Sequence, residues 1–143
     1  MSLSPTFARL VRQATGDTAD VSSGLGLANA IRGGLPASAV DNIVRSGKLT
    51  YREVDKVVLP RKTLAHRKSI GTLTADQSDR LVRVARIIAL AEDTFANPDK
   101  AATWLRRASA ALEGETPLEL LDTEEGAREV ETLLTRIGHG IAA

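Results

Sequence analysis

The residues best equipped for chemistry in this chain are cations crowded into one short window. Between Arg45 and Lys68 stand 8 Lys and Arg against 2 Asp and Glu. Within that window Lys48, Arg52, Arg61, Lys62, Thr63, His66, Arg67 and Lys68 are side-chain types that reach phosphate oxygens and base edges, arginine to guanine above all. Thr50 followed three residues later by Glu53 is a capping-box pair that opens a short helix. Pro60 interrupts that helix and starts another at Arg61. A short helix, a turn of about three residues and a second helix with a basic exposed face match helix-turn-helix spacing, in which the first helix braces the second against DNA. Val54, Val57, Leu59 and Leu64 take the inward positions. Val58 stands where glycine often sits, so the turn must be made there without a positive φ. An overlapping frame pairs 37–46 with 50–58 and would put Lys48 to Lys56 on the DNA, but its turn is one residue too long. The plain alternative to both frames is an amphipathic helix pair with a solvated basic face.

Other chemistries lack their residues. Without cysteine there is no disulfide, thiolate metal site or cysteine nucleophile. His66 and His139, the only histidines, stand far apart with no carboxylate pattern around them, so neither a metal site nor a catalytic centre is expected. Gly24-Leu25-Gly26 follows no strand and has Asn29 where a dinucleotide-binding turn needs its third glycine. Paired acids such as Glu124 and Glu125 read as favourable charge in the first turn of a helix. Enzyme function is disfavoured. With no hydrophobic leader segment and no apolar run near the roughly 20 residues of a bilayer span, no membrane contact and a cytoplasmic location are expected.

The elements that must hold these residues are helical. Hydrophobic residues make up 43% of the chain but aromatics only 3%, so aliphatic side chains interdigitating between helices must form the core, and the chain is expected to be all-α. Helical spacing runs through Pro5–Ala14, Leu25–Ile31 and the segment after Pro36 as far as Gly47. Thr74 with Gln77 opens the longest pattern, Ala75 to about Phe95, whose stripe includes Leu81, Val84 and Ile88 while Arg80, Arg83 and Arg86 lie elsewhere on the cylinder. Asn97-Pro98 starts a helix expected to run through Trp104, Leu105 and Ala108 to Leu112, and Thr123 with Gly126 opens the last one. Charge divides along the chain: 1–72 carries 11 Lys and Arg against 5 Asp and Glu, and 73–143 carries 8 against 13. A basic part suggests nucleic acid and an acidic part a protein surface, although two solvated faces that merely differ would give the same division; two domains, 1–72 and 73–143, are expected. A two-fold axis is needed to read a pseudo-palindromic site, and the Leu81, Val84, Ile88 stripe is too long for short helices to cover. Dimerisation through that stripe is therefore expected. Trp104 with Leu105 could pack in the core or line an interface. The closing Ile137-Gly138-His139-Gly140-Ile141 could simply fray, or could turn on its glycines and insert an apolar side chain into a partner's cleft.

Several of these elements, taken in order, carry a family pattern. Leu59-Pro60-Arg61-Lys62-Thr63-Leu64 with Arg67, LTADQSDRLVR at 73–83, Ala101 with Trp104-Leu105, Leu112 with Gly114, and Thr116-Pro117-Leu118 come first. Leu120-Leu121, Thr123 with Gly126, Val130, Arg136-Ile137 and Gly140-Ile141 follow. Over 50–141 the chain resembles antitoxins of the Xre/MbcA/ParS toxin-binding class, although Ala108 and Ser109 replace the family's asparagine-proline element. The resemblance implies an N-terminal helix-turn-helix domain followed by a small helical toxin-binding domain. It implies a type II antitoxin that dimerises, represses its own operon by binding operator DNA, and covers the active site of a RES-domain toxin. Such a toxin consumes NAD as an NAD-glycohydrolase or ADP-ribosyltransferase, so NAD belongs to the partner and this chain is expected to hold no cofactor. Trp104, Leu105, Glu129, Ile137, His139, Gly140 and Ile141 become the expected toxin contacts. A dimeric DNA-binding regulator without a toxin partner is the alternative.

Overall fold

The computed structural model describes residues 3–140. Side chains that favour helix starts decide where the helices begin. Ser4, Ser23, Asn97 and Thr123 each accept a first-turn backbone N–H, and they open α1 (Pro5–Thr15), α2 (Gly24–Gly33), α7 (Pro98–Leu105) and α8 (Glu124–Gly138). Thr50 and Thr74 form complete capping boxes with Glu53 and Gln77, opening α4 (Tyr51–Val57) and α6 (Ala75–Phe95). Only α3 (Ser38–Arg45) and α5 (Arg61–Ile70) lack a side-chain cap from the residue before them. Among the described residues there are no strands, only an isolated antiparallel bridge between Pro36 and Thr72. The all-α expectation holds.

One apolar core runs from Phe7 through Val40, Val54 and Ile88 to Leu134, with α6 at its centre. Helices α1, α2, α4, α7 and α8 all pack on α6. This corrects two expectations. Leu81, Val84 and Ile88 are 2%, 0% and 3% exposed, so the stripe proposed for dimerisation is covered by the chain's own helices. Arg83 is buried as well: its guanidinium donates to the Leu121 and Asp122 carbonyls at 3.3 and 3.4 Å and pairs with Glu124 at 3.6 Å. A helix surrounded on most sides buries more than one stripe, and a buried arginine survives only with such partners.

The helix opened by Pro98 is shorter than its apolar spacing suggests. It ends at Leu105, and the chain then folds into a tight loop in which the Ser109 N–H donates to the Glu115 carbonyl and the Gly114 N–H to that of Ser109. A separate 3-10 turn, Ala110–Leu112, carries Leu112 into the core. Two glycines are required by close backbone approach. A Cβ at Gly126 would stand 1.9 Å from the Leu120 carbonyl oxygen, and one at Gly34, where φ is +86°, would stand 2.3 Å from that of Leu73. The second contact seats the α2–α3 loop on the α5–α6 loop. There Leu73 N–H donates to Leu35 at 2.8 Å, and the fully buried Ser78 hydroxyl accepts the Leu35 N–H at 2.9 Å.

Candidate functional site

Helices α4 and α5 are the consecutive pair anticipated from Thr50, Glu53 and Pro60. Val54, Val57, Val58, Leu59 and Leu64 are all buried, and Leu64 is the residue by which α5 reaches the core. Val58 has φ −116°, so the turn is made without a left-handed residue. Pro60 supplies no cap, and the first N–H of α5, that of Arg61, is instead taken at 2.9 Å by the Asp55 carboxylate from α4.

The eight candidate DNA-contacting residues divide by what already occupies them. Arg52, Arg61, Lys62 and His66 are exposed, Thr63 is half-buried, and none of the four basic side chains makes an ion pair among the described residues. Arg61 lies over the Tyr51 ring, 5.7 Å from its centroid, close enough for a cation–π contact that orients it. The remaining three are engaged within the chain. Lys48 pairs with Glu92 of α6 at 2.6 Å, Lys68 pairs with Asp41 of α3 at 3.0 Å, and the Arg67 Nε donates to the Thr72 carbonyl at 2.8 Å.

Two acids brace this unit. Asp41 accepts the Tyr51 hydroxyl as well as pairing with Lys68. Burial pushes the Asp41 carboxyl up, but the Tyr51 and Lys68 hydrogen bonds and the charges of Lys68 and Arg45 outweigh it and hold the carboxyl below its ordinary value. The same hydrogen bond, with burial, raises the Tyr51 phenol. Glu53 closes the capping box and also receives Arg106 from the end of α7 in a two-pronged pair at 2.8 and 2.9 Å. Burial opposes its ionisation, yet Arg106 and the Thr50 backbone hold its carboxyl below the usual range. Arg106 also donates to the Lys48 carbonyl at 3.1 Å, so the end of α7 is fastened to the start of α4. Sequence reading missed Asp41, Tyr51, Asp55 and Arg106, because their partners are set by folding; only Glu53 announced itself, by its cap spacing.

A second surface lies at the C-terminal end of α6. Trp104 of α7 is half-buried against Phe95, ring centroids 5.7 Å apart and tilted by 47°. The pair lines an open depression of about 390 Å³ with Asp99, Lys100, Thr103 and Arg107. A Cβ added at Gly138, the last residue of α8, would stand 3.9 Å from the Thr94 side chain, next to Phe95, so the end of α8 emerges at the same end of α6 as the aromatic pair. Of the other residues expected here, Glu129 and His139 are exposed and Ile137 is half-buried. Leu105 is 2% exposed and anchors α7 in the core, so it offers no contact surface, which corrects that assignment. Gly138 is helical rather than a hinge; only Gly140, with φ +74°, is left-handed. Ile141 lies outside the described residues.

Among the described residues no cluster of His, Asp or Glu is arranged to hold a metal ion, and no helix is long and apolar enough to cross a membrane. Residues 26–86 match the antitoxin Xre-like helix-turn-helix domain, and residues 90–140 match the antitoxin Xre/MbcA/ParS C-terminal toxin-binding domain. The chain is 35% identical over 129 residues to an Antitoxin Xre of Pseudomonas putida, covering 90% of this chain and 80% of that one. It is 36% identical over 125 residues to an Antitoxin Xre of Photorhabdus laumondii, covering 85% and 84%. A shorter similarity, 32% over 80 residues and half of each chain, links it to the Prs ADP-ribosylating antitoxin of a Sphingobium species. With both domains matched in chain order onto the two surfaces, and relatives aligned over most of their length, the chain belongs to the Xre antitoxin family.

Proposed function

We propose that this chain neutralises a RES-domain, NAD-consuming toxin by covering its active site, and represses its own operon by binding operator DNA as a homodimer. In this reading 1–72 is the DNA-binding part and 73–143 the toxin-binding part, and both act in the cytoplasm. The observation that carries it is the pairing of two chemically different surfaces on one rigid core. One is cationic, with Arg52, Arg61 and Lys62 exposed on α4 and α5 beside His66; the other is aromatic, with Trp104 on Phe95 beside the end of α8. Exposed cations on a braced helix suit phosphate and base edges. A half-exposed tryptophan in a depression suits a protein contact, where aromatic side chains dominate the binding energy. An NAD-consuming partner is supported by the Sphingobium relative, whose name joins an antitoxin to ADP-ribosylation. Dimerisation would use a face other than the buried α6 stripe.

Co-expression with the adjacent toxin gene tests this. The expected result is a complex that co-purifies, growth that is rescued, cellular NAD that stays high, and a reporter behind the operon's promoter that is silenced. Rescue failing while the reporter is silenced would favour a DNA-binding regulator with no toxin partner.

A further inference from the structure

The α5 helix presents cations to solvent, yet carboxylates from two other helices are fixed at its two ends. At the N-terminal end Asp55 takes the Arg61 N–H at 2.9 Å, in the place where a helix N-terminus otherwise receives a phosphate. Toward the C-terminal end Asp41, reaching from α3, holds Lys68 at 3.0 Å. The second contact is the more built. The Asp41 side chain is 15% exposed, it also accepts the Tyr51 hydroxyl, and the Tyr51 ring carries Arg61 on its face. Arg45 of α3 adds its charge to the same carboxylate. Lys68 itself is half exposed, so its ammonium would face DNA if Asp41 let it go.

Resting on the DNA-binding reading above, we propose that Asp41 is a positioning residue that withholds Lys68 from DNA phosphates and keeps the affinity of α5 for arbitrary sequence low. Phosphate contacts add affinity without sequence information, whereas base-edge contacts discriminate. A lysine held by an internal carboxylate removes one indiscriminate contact. The cation next to that carboxylate's other partner, Arg61, stays oriented by Tyr51 and exposed at the helix start, where base edges are read. Releasing Lys68 would also leave a largely buried carboxylate without its cation, which opposes capture of Lys68 by DNA. Removing the Asp41 charge should therefore strengthen DNA binding on any sequence alike, the opposite of what disrupting a merely structural interaction does.

Fluorescence anisotropy with the full chain decides this, using the duplex upstream of its own gene and a scrambled duplex of equal length over a series of salt concentrations. Asp41→Asn is expected to steepen the salt dependence by about 0.9 in the log–log slope, one extra phosphate contact, on both duplexes. It should raise the affinity for both duplexes by a similar factor, leaving the ratio of specific to scrambled affinity unchanged. Adding Lys68→Gln to Asp41→Asn should restore the wild-type slope. Lys68→Gln alone, a surface change that preserves folding if Asp41→Asn does not, should leave the slope where it was. Weaker binding by Asp41→Asn at an unchanged slope, or a slope lowered by about 0.9 in Lys68→Gln alone, overturns the proposal while leaving the DNA-binding reading intact. A wild-type chain that binds neither duplex at low salt overturns that reading, and the proposal with it.

Discussion

Side chains of one chemical type in 45–68 meet quite different partners. Eight residues in 45–68 share the chemistry for DNA contact, but Lys48, Arg67 and Lys68 meet Glu92, Thr72 and Asp41 inside the chain. Glu92 and Asp41 lie 44 and 27 positions away, so no local pattern could have revealed them. Arg61 and Lys62 have no ion-pair partner among the described residues. The double substitution Arg61→Ala with Lys62→Ala should weaken operator binding and lower the salt slope by about 0.9 for each phosphate no longer neutralised, while toxin binding persists. Titrating anisotropy against salt measures it, and an unchanged slope would reject α5 as the reading helix. Tyr51 offers a check that needs no DNA. It is the sole tyrosine, and donating its hydroxyl to Asp41 stabilises its protonated form, so its ionisation should lie above the ordinary value of about 10 and fall toward it in Asp41→Asn. The stabilisation this gives is complete below the ordinary value and is lost as pH rises through the raised one. Ultraviolet absorbance of the tyrosinate follows it directly.

At the scale of elements, the starts of helices were the most legible feature, because capping chemistry is local. Thr50 with Glu53 and Thr74 with Gln77 form the boxes their spacing announced. Ends and environments were less legible. The helix from Pro98 stops seven residues before Leu112, the last position of its apolar spacing, where the 106–109 turn and the Ser109–Glu115 bond take over. The α6 stripe was correctly placed, but its spacing could not say that five other helices would close over it. Leu81→Ala should therefore cost about 2–5 kcal/mol of stability, as core truncations do, without shifting a dimer equilibrium in the chains that remain folded. Denaturant unfolding with sedimentation distinguishes the two effects; a dissociated dimer at unchanged monomer stability would return α6 to the interface. The α4 start gives a pH prediction. Glu53 is held below its ordinary value by Arg106 and the Thr50 backbone against burial, so its contribution is present above about pH 4.5 and disappears as pH falls through its lowered value. Wild type should thus be more stable than Glu53→Gln at neutral pH, and the gap should close on acidification. A gap independent of pH would show that the carboxylate charge is not what Arg106 recognises.

Across the whole molecule, charge divides at about residue 72, yet the fold gathers both parts around a single core, and the depression beside Trp104 is lined by Lys100 and Arg107 as well as Asp99. Arg106 makes the junction concrete: two residues after Trp104, it closes on the Glu53 that caps α4. The aromatic surface was legible only as a lone Trp-Leu pair, because Phe95, which completes it, comes from the end of another helix, and Leu105 turns inward instead. In the proposed function, DNA contact and toxin inhibition belong to separate faces of this one body. NAD consumption by the purified partner toxin, titrated with wild type, with Trp104→Ala and with Arg61→Ala/Lys62→Ala, tests that most directly. Wild type and the double variant should inhibit equally, and Trp104→Ala should inhibit on the order of tenfold or more weakly, the drop expected for a tryptophan at the centre of an interface. Undiminished inhibition by Trp104→Ala, or inhibition abolished in the Arg61→Ala/Lys62→Ala variant, would contradict it.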